Sequence, residues 1–148
     1  MIYSEKIVKN SDSLIELLAA QCVDLEKLLA LAREETRAAQ QGNFESVLEI
    51  VTKRDEIGHR LEIFQQQIAE LRGHLEDSAV GRALESDVSR RSLEIANLTI
   101  VQDHKTRLLL TDARTIAASE MANLERSNRG TNAYLREQTR GLSYNRNF

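Results

Sequence analysis

Apolar residues recur along most of this chain in alternating steps of three and four, the spacing that places them on one side of an α-helix. A first apolar stripe covers residues 14–39 and is interrupted by the polar pair Glu35 and Thr36. A second stripe covers residues 47–75, with Arg54 in its one gap. Such an alternation over roughly four heptads is typical of a coiled-coil-like seam that faces a partner helix along its length.

Two short segments separate the stripes and predict turns. Gly42 suits the left-handed position that ends a helix, and Asn43 can cap the helix that follows. The sequence EDSAVGR, residues 76–82, is interpreted as a second turn. The predicted helices therefore cover about residues 12–41, 43–76 and 83–128. The N-cap candidates of the first helix are Ser11, Asp12 and Ser13.

The predicted third helix is longer than the second, and this difference suggests a binding surface. At 1.5 Å per residue it reaches about 70 Å against about 50 Å for the second helix. In an up-down-up bundle its last turns lie beyond Gly42 and have no intrachain helix beside them. The third predicted helix has an apolar stripe of its own, which includes Ile95, Leu98, Val101 and Leu108 and is predicted to face the other helices. This stripe continues into the last turns, which indicates an external partner, a dimer, or a bend back over the bundle end. The predicted partner-binding residues are Ile116, Ala117, Met121, Leu124, Tyr134 and Leu135.

Composition agrees with a helical fold. The chain has no proline, only 4% aromatic residues, 41% hydrophobic residues and 29% charged residues. Ala, Leu, Glu, Arg and Gln, which favour helices, dominate. We therefore expect an all-α fold: an elongated antiparallel three-helix bundle, coiled-coil-like, with a long third helix. Residues 1–128 form the predicted bundle domain, residues 1–10 a loosely held arm, and residues 129–148 a flexible basic tail.

Charge is unevenly distributed along the chain. The net charge is −3, yet the segment from residue 126 onward carries arginines opposed by a single acid, Glu137. Such a tail can bind nucleic acid, an acidic partner or the acidic body of its own chain. Because the rest of the chain is acidic and would repel a duplex, we expect no nucleic-acid binding. The arginines are Arg126, Arg129, Arg136, Arg140 and Arg146.

The sequence offers little catalytic chemistry. Cys22 falls among apolar helix positions and is interpreted as a small buried hydrophobe. Glu56 and His59 have the spacing of half a di-iron bundle site, but a second Glu-x-x-His pair is missing from the sequence. We therefore expect no enzyme activity, no cofactor and no metal. No signal-peptide core or apolar run of about 20 residues occurs, so the expected location is the cytoplasm, without membrane insertion.

The first hairpin resembles the FlgN-type chaperones of bacterial flagellar type III export. The matching elements are LEKLLALAREETRAA, the turn GN, and FESVLEIVTKRDEIGHRL, within residues 14–65. In that family, spaced leucines and paired acids precede a Gly-Asp or Gly-Asn turn, and a basic residue lies in the next helix. The residues that fill this pattern are Leu25, Leu28, Leu29, Glu34, Glu35, Gly42, Asn43, Leu48, Lys53, Ile57 and Leu61.

The resemblance implies a cytosolic export chaperone. FlgN-type proteins bind the C-terminal helical segments of the hook–filament junction subunits, keep them monomeric and deliver them to the export apparatus. Two alternatives stay open at this point: a FliT-type flagellar chaperone, which shares a similar hairpin, and a homo-oligomeric coiled-coil structural or adaptor protein. A homodimer is compatible with each of these functions.

Overall fold

The computed structural model describes the backbone of residues 2–146 and the side chains of residues 11–140, and it confirms the all-α class. It is 95% helical, and the described residues form no strand. The four helices of the described chain are α1 (Ile2–Gln40), α2 (Phe44–His74), α3 (Asp77–Leu84) and α4 (Asp87–Arg146). The chain divides into two compact units, Met1–Leu109 (unit 1) and Leu110–Phe148 (unit 2).

The turn between α1 and α2 has the geometry that the sequence predicts. Gly42 has a φ of +70°, the left-handed conformation that glycine adopts without strain. Its N–H donates to the carbonyl of Ala39, and the N–H of Asn43 donates to that of Ala38, which is the Schellman pattern. The side chain of Asn43 then accepts a hydrogen bond from the N–H of Ser46 and caps α2.

The predicted turn at residues 76–82 is wrong, because most of it is helical. Helix α3 turns Ala79 and Ala83 inward, where both are buried. Ala83 packs with Leu14 and Leu18 of α1, so burial of a small apolar face outweighs the turn tendency of Gly81 and its neighbours. A short fourth helix therefore replaces the loop expected between the second and third predicted helices.

The predicted start of the first helix is also wrong. Helix α1 begins at Ile2, and Ser11, Asp12 and Ser13 lie inside it rather than at its N-cap. Ser11 is buried instead, and its hydroxyl donates to the carbonyl of Ala79 over 3.2 Å. This contact ties α1 to α3. The side chains of residues 1–10, the predicted arm, lie outside the described residues.

Polar side chains, rather than the predicted leucines, form the inward face of α4 in unit 1. Ile95 is buried beside Cys22 and Leu29 of α1, as expected. The sequence also placed Leu98, Val101 and Leu108 in this seam, but all three are exposed, at 43%, 54% and 53%. The buried positions near Ile95 are Ser92, Thr99 and Thr106.

The threonines are buried at low cost because their hydroxyls are satisfied. Thr99 donates to the carbonyl of Ile95 and Thr106 to that of Gln102, each one turn earlier in α4. The hydroxyls of Thr36 and Thr106 are also 2.7 Å apart, and Gln102 donates its amide to Thr36. These contacts join α1 to α4 through hydrogen bonds.

A cluster of charged groups joins α1, α2 and α4 beside this polar contact. Arg54 donates two 2.8 Å hydrogen bonds to the carboxylate of Asp103 and a short one to Glu35. The Glu35 side chain is only 8% exposed. The hydrogen bonds to Asp103, opposed in part by burial and reinforced by those to Glu35, raise the pKa of the Arg54 guanidinium above its ordinary value. The cluster therefore places one permanent cation between a carboxylate side chain of α1 and one of α4.

The cross-helix pairs in unit 1 define the directions of its helices. Glu35 pairs with Arg54, and Asp24 pairs with Arg60 farther along α2, so α1 and α2 run antiparallel. Glu26 pairs with Arg91, and farther along both helices Thr36 meets Thr106. The unit 1 part of α4 therefore runs in the same direction as α1.

The predicted end of the third helix at residue 128 is wrong. Helix α4 continues to Arg146 and passes through Gly130, where an added Cβ would meet no atom within 4 Å. The predicted tail is therefore helical through residue 146, and its flexibility stays a prediction. Asn147 and Phe148 lie outside the described residues.

We predict that Gly42→Val raises the free energy of folding by more than about 1 kcal/mol, because a β-branched side chain is strained at positive φ. No atom lies within 4 Å of the added Cβ, so the cost comes from the backbone alone. Gly42→Asn is the matched control, since asparagine tolerates this conformation, and it should cost clearly less. Urea unfolding of both variants measures the difference, and equal stabilities would contradict the role assigned to Gly42.

We predict that Arg54→Met destabilises the protein by roughly 3–5 kcal/mol, because it leaves the buried Glu35 carboxylate without its arginine. Adding Glu35→Met should recover most of that loss, since an apolar pair replaces a buried ionic one. The control is Arg91→Met, which breaks an exposed pair with Glu26 and should cost less than about 1 kcal/mol. Equal urea-unfolding midpoints for Arg54→Met and Arg91→Met would contradict the prediction.

Candidate partner-binding surface

The part of α4 in unit 2 has no buried side chain among its described residues. Every residue from 115 to 140 is exposed. Good helix formers fill much of this segment. Thr131 and Thr139 donate their hydroxyls to the carbonyls of Ser127 and Leu135 within the helix. The segment is thus a helix that presents all of its faces for contact.

Four of the six predicted partner-binding residues share one face of this helix. At about 100° per residue, they fall within roughly 60° of one another and span about 27 Å along the helix axis. Met121, Leu124 and Leu135 are 69%, 65% and 52% exposed. Asn128 and Thr131 lie on the same face between Leu124 and Leu135, so the apolar surface has a polar gap. We name this set the apolar stripe: Ala117, Met121, Leu124 and Leu135.

The other two predicted residues lie on a flank of the apolar stripe. Ile116 and Tyr134 are both about 100° from the stripe's centre, on the same side. They are 59% and 61% exposed. Tyr134 accepts a 3.0 Å hydrogen bond from the amide of Gln138, which holds the phenol against the helix. The structure therefore arranges the six residues as one stripe with a two-residue flank.

A second exposed apolar surface, absent from the sequence prediction, lies on α4 in unit 1. Leu93 and Ile100 are each 65% exposed, and Val101 is 54% exposed. A groove of about 380 Å³ follows this face and is lined by Leu93, Leu98 and Val101 with Arg90, Glu94 and Asn97. The sequence signal for this surface is the seven-residue spacing of Leu93 and Ile100, which places both on a different helix face from the buried Ile95.

The candidate chemical groups do not form a reactive centre in the described chain. Cys22 is buried in the core, as the sequence predicts. Glu56 and His59 are exposed on α2, and among the described residues no three His, Cys, Asp or Glu side chains are grouped to hold a metal ion. No helix within the described residues combines the length and apolarity needed to cross a membrane.

Comparison with protein-family models, curated proteins and solved structures gives no match for this chain. Its surfaces are therefore interpreted from their own chemistry and from the sequence resemblance in the first hairpin.

We predict that residues 115–140 exchange their amide hydrogens much faster than residues 92–106 in the free protein. A helix without buried side chains is marginally stable, whereas Ser92, Ile95, Thr99 and Thr106 are buried in unit 1. Hydrogen exchange read by mass spectrometry checks this difference. Strong protection of Tyr134 and Leu135 in an isolated monomer would contradict both the exposure of this segment and the predicted mobility of the tail.

Proposed function

We propose that this protein is a cytosolic export chaperone of the FlgN type. In this proposal it binds C-terminal helical segments of the flagellar hook–filament junction subunits, keeps them monomeric and delivers them to the type III export apparatus. Its function is binding rather than catalysis. The observation that carries the proposal is the apolar stripe of unit 2, which a client helix can cover.

The size of the apolar stripe fits a reversible complex with one amphipathic helix. Such a helix docks through apolar residues at steps of three and four, which the spacing of Ala117, Met121 and Leu124 matches. Burying the exposed fractions of Met121, Leu124 and Leu135 contributes roughly 3–6 kcal/mol before the cost of association is subtracted. Moderate affinity suits a chaperone, because its client must later leave for export.

The first hairpin supports the same class. The resemblance to FlgN-type proteins rests on the helix–Gly-Asn–helix pattern, and Gly42 and Asn43 form a tight helical turn. We propose further that α1, α2 and the unit 1 part of α4 are the three helices of an elongated antiparallel bundle, with α3 as its connecting helix. The ion pairs of Arg54 and Arg60 support this arrangement.

A homo-oligomeric coiled-coil adaptor is the second candidate function, and the groove along Leu93 and Val101 favours it. Exposed apolar residues on a bundle helix are typical of helix–helix association between chains. A FliT-type chaperone stays the alternative within the flagellar class. The two classes differ in which face of α4 must be intact for the complex to form.

We predict that Met121→Asp combined with Leu124→Asp lowers affinity for the C-terminal helix of a junction protein at least a hundredfold. Burying even one unpaired charge at such a contact costs several kcal/mol. The melting temperature of the free protein should hardly change, because both side chains are already exposed. Isothermal titration with a peptide of the client segment and thermal unfolding measure the two quantities on one variant.

The matched control is Leu93→Asp with Ile100→Asp, which places two charges on the other exposed apolar surface of α4. Under the chaperone proposal this variant binds the client peptide as the unmodified chain does. If Leu93→Asp/Ile100→Asp abolishes a homo-oligomer that Met121→Asp/Leu124→Asp leaves intact, the adaptor function replaces the chaperone function. Lost stability without a specific loss of binding in the first variant would refute the exposed client site.

A further inference from the structure

The arginines of the unit 2 helix form a stripe of their own, turned away from the apolar stripe. Four of them lie within about 80° of one another and about 135° from the centre of the apolar stripe. All four are exposed, and the one salt bridge among them in the described chain joins Arg129 to Glu125 over 3.5 Å. The arginine stripe consists of Arg126, Arg129, Arg136 and Arg140.

Helix α2 carries an exposed acidic stripe in unit 1. Glu45, Glu49 and Glu56 fall within about 40° of one another on the helix surface. All three are exposed and form no salt bridge within the described residues. Thr52 and Ile63 continue the same face, and both are exposed. We name this set of five residues the acidic stripe.

The two stripes have matching spacing when their helices are antiparallel. The acidic residues follow one another after four and seven positions, from Glu45 to Glu49 to Glu56. Read backwards from Arg140, three of the four arginines follow one another after four and seven positions as well. At 1.5 Å per residue, the three acids and these three arginines each span about 16 Å, so a single register aligns the two sets. The aligned pairs are Glu45 with Arg140, Glu49 with Arg136, and Glu56 with Arg129.

The residues between the charges also fit in this register. Thr52 is level with Ala133, and Ile63 is level with Ala122. Small residues on one helix allow the backbones to approach closely enough for the charged side chains to meet. No like charges stand opposite each other within the two stripes. Guanidinium groups are in addition suited to two-pronged hydrogen bonding with carboxylates.

We propose that the arginine stripe binds the acidic stripe on α2 of a second copy of this chain, with the two helices antiparallel. The argument for a second copy as the occupant is the charge complementarity in one shared register, and docking onto the acidic stripe of the same chain is a separate outcome of the test. This self-association and the proposed client binding use different faces of the unit 2 helix, so both can occur on one chain.

The association is weak and sensitive to salt. Each exposed ion pair contributes a factor of about five at most, and three pairs contribute a factor of roughly a hundred. Because association also costs translational and rotational freedom, we expect self-association to be detectable only at about millimolar protein concentration and low ionic strength. Raising the salt concentration from about 50 mM to about 500 mM should weaken association at least tenfold, because salt screens exposed charges.

The test is sedimentation equilibrium of the full chain at protein concentrations from about 0.02 to 2 mM. Arg136→Glu combined with Glu137→Arg keeps the net charge but moves one cation about 100° off the stripe, and it should weaken association at least fivefold. Reversing the three paired charges of either stripe (those of Glu45, Glu49 and Glu56, or those of Arg129, Arg136 and Arg140) should leave a monomer. Exchanging the charges of both stripes in one chain restores the net charge and should restore association.

A monomer at every concentration and salt would overturn the proposal, as would association that Arg136→Glu/Glu137→Arg leaves unchanged. A salt-dependent compaction that does not vary with concentration would instead show docking within one chain and would also overturn it. All of the substituted side chains are exposed, and circular dichroism verifies that each variant keeps its helix content.

Disulfide trapping tests the register independently. Chains carrying Glu49→Cys and chains carrying Arg136→Cys, one of them tagged, should form a mixed disulfide on mild oxidation at low salt. The control pair, Glu49→Cys with Arg129→Cys, is seven residues out of register, about 10 Å along the helix, and should form much less. Equal yields from the two pairs would contradict the antiparallel register.

Discussion

The guanidinium of Arg54 lies between two carboxylates, that of Glu35 on α1 and that of Asp103 on α4. A repeating apolar seam can shift by one heptad and still bury aliphatic side chains. Such a shift would separate the buried carboxylate from its partner, and an unpaired charge in that position costs several kcal/mol. The cluster therefore selects one register for three helices, which leucines alone would not specify.

The same cluster decides which residues of α4 face outward. Gln102, Thr106 and Asp103 must turn toward α1 and α2 to meet Thr36 and Arg54. A helix turned in this way directs its more hydrophobic residues, among them Leu93 and Ile100, away from the core. The exposed apolar groove on α4 is thus a consequence of polar contacts within unit 1. The exposed groove and the helix register therefore share one physical origin.

The sequence predicted the elements that depend on local signals and missed those that depend on tertiary contacts. Gly42 and Asn43 act within one turn of helix, so the first hairpin was predictable. Helix α3 was not, because it depends on the burial of Ala79 and Ala83 by other helices. The inward face of α4 was misassigned because a threonine side chain can be buried in place of a leucine when its hydroxyl donates to a carbonyl of its own helix. The four residues of the apolar stripe share a helix face, as their spacing in the sequence predicts, and their role in partner binding stays a prediction.

The opposed faces of the unit 2 helix have different physical character, and this difference bears on how they can act together. Contacts of the apolar stripe depend on excluded water and are insensitive to salt, whereas contacts of the arginine stripe are screened by it. Since the stripes are about 135° apart, a helix docked on one leaves the other accessible. Occupation of either face would also stabilise a helix that buries no side chain among its described residues, so binding at one face should favour binding at the other. The exposed helix is therefore suited to couple the proposed client binding to the proposed self-association.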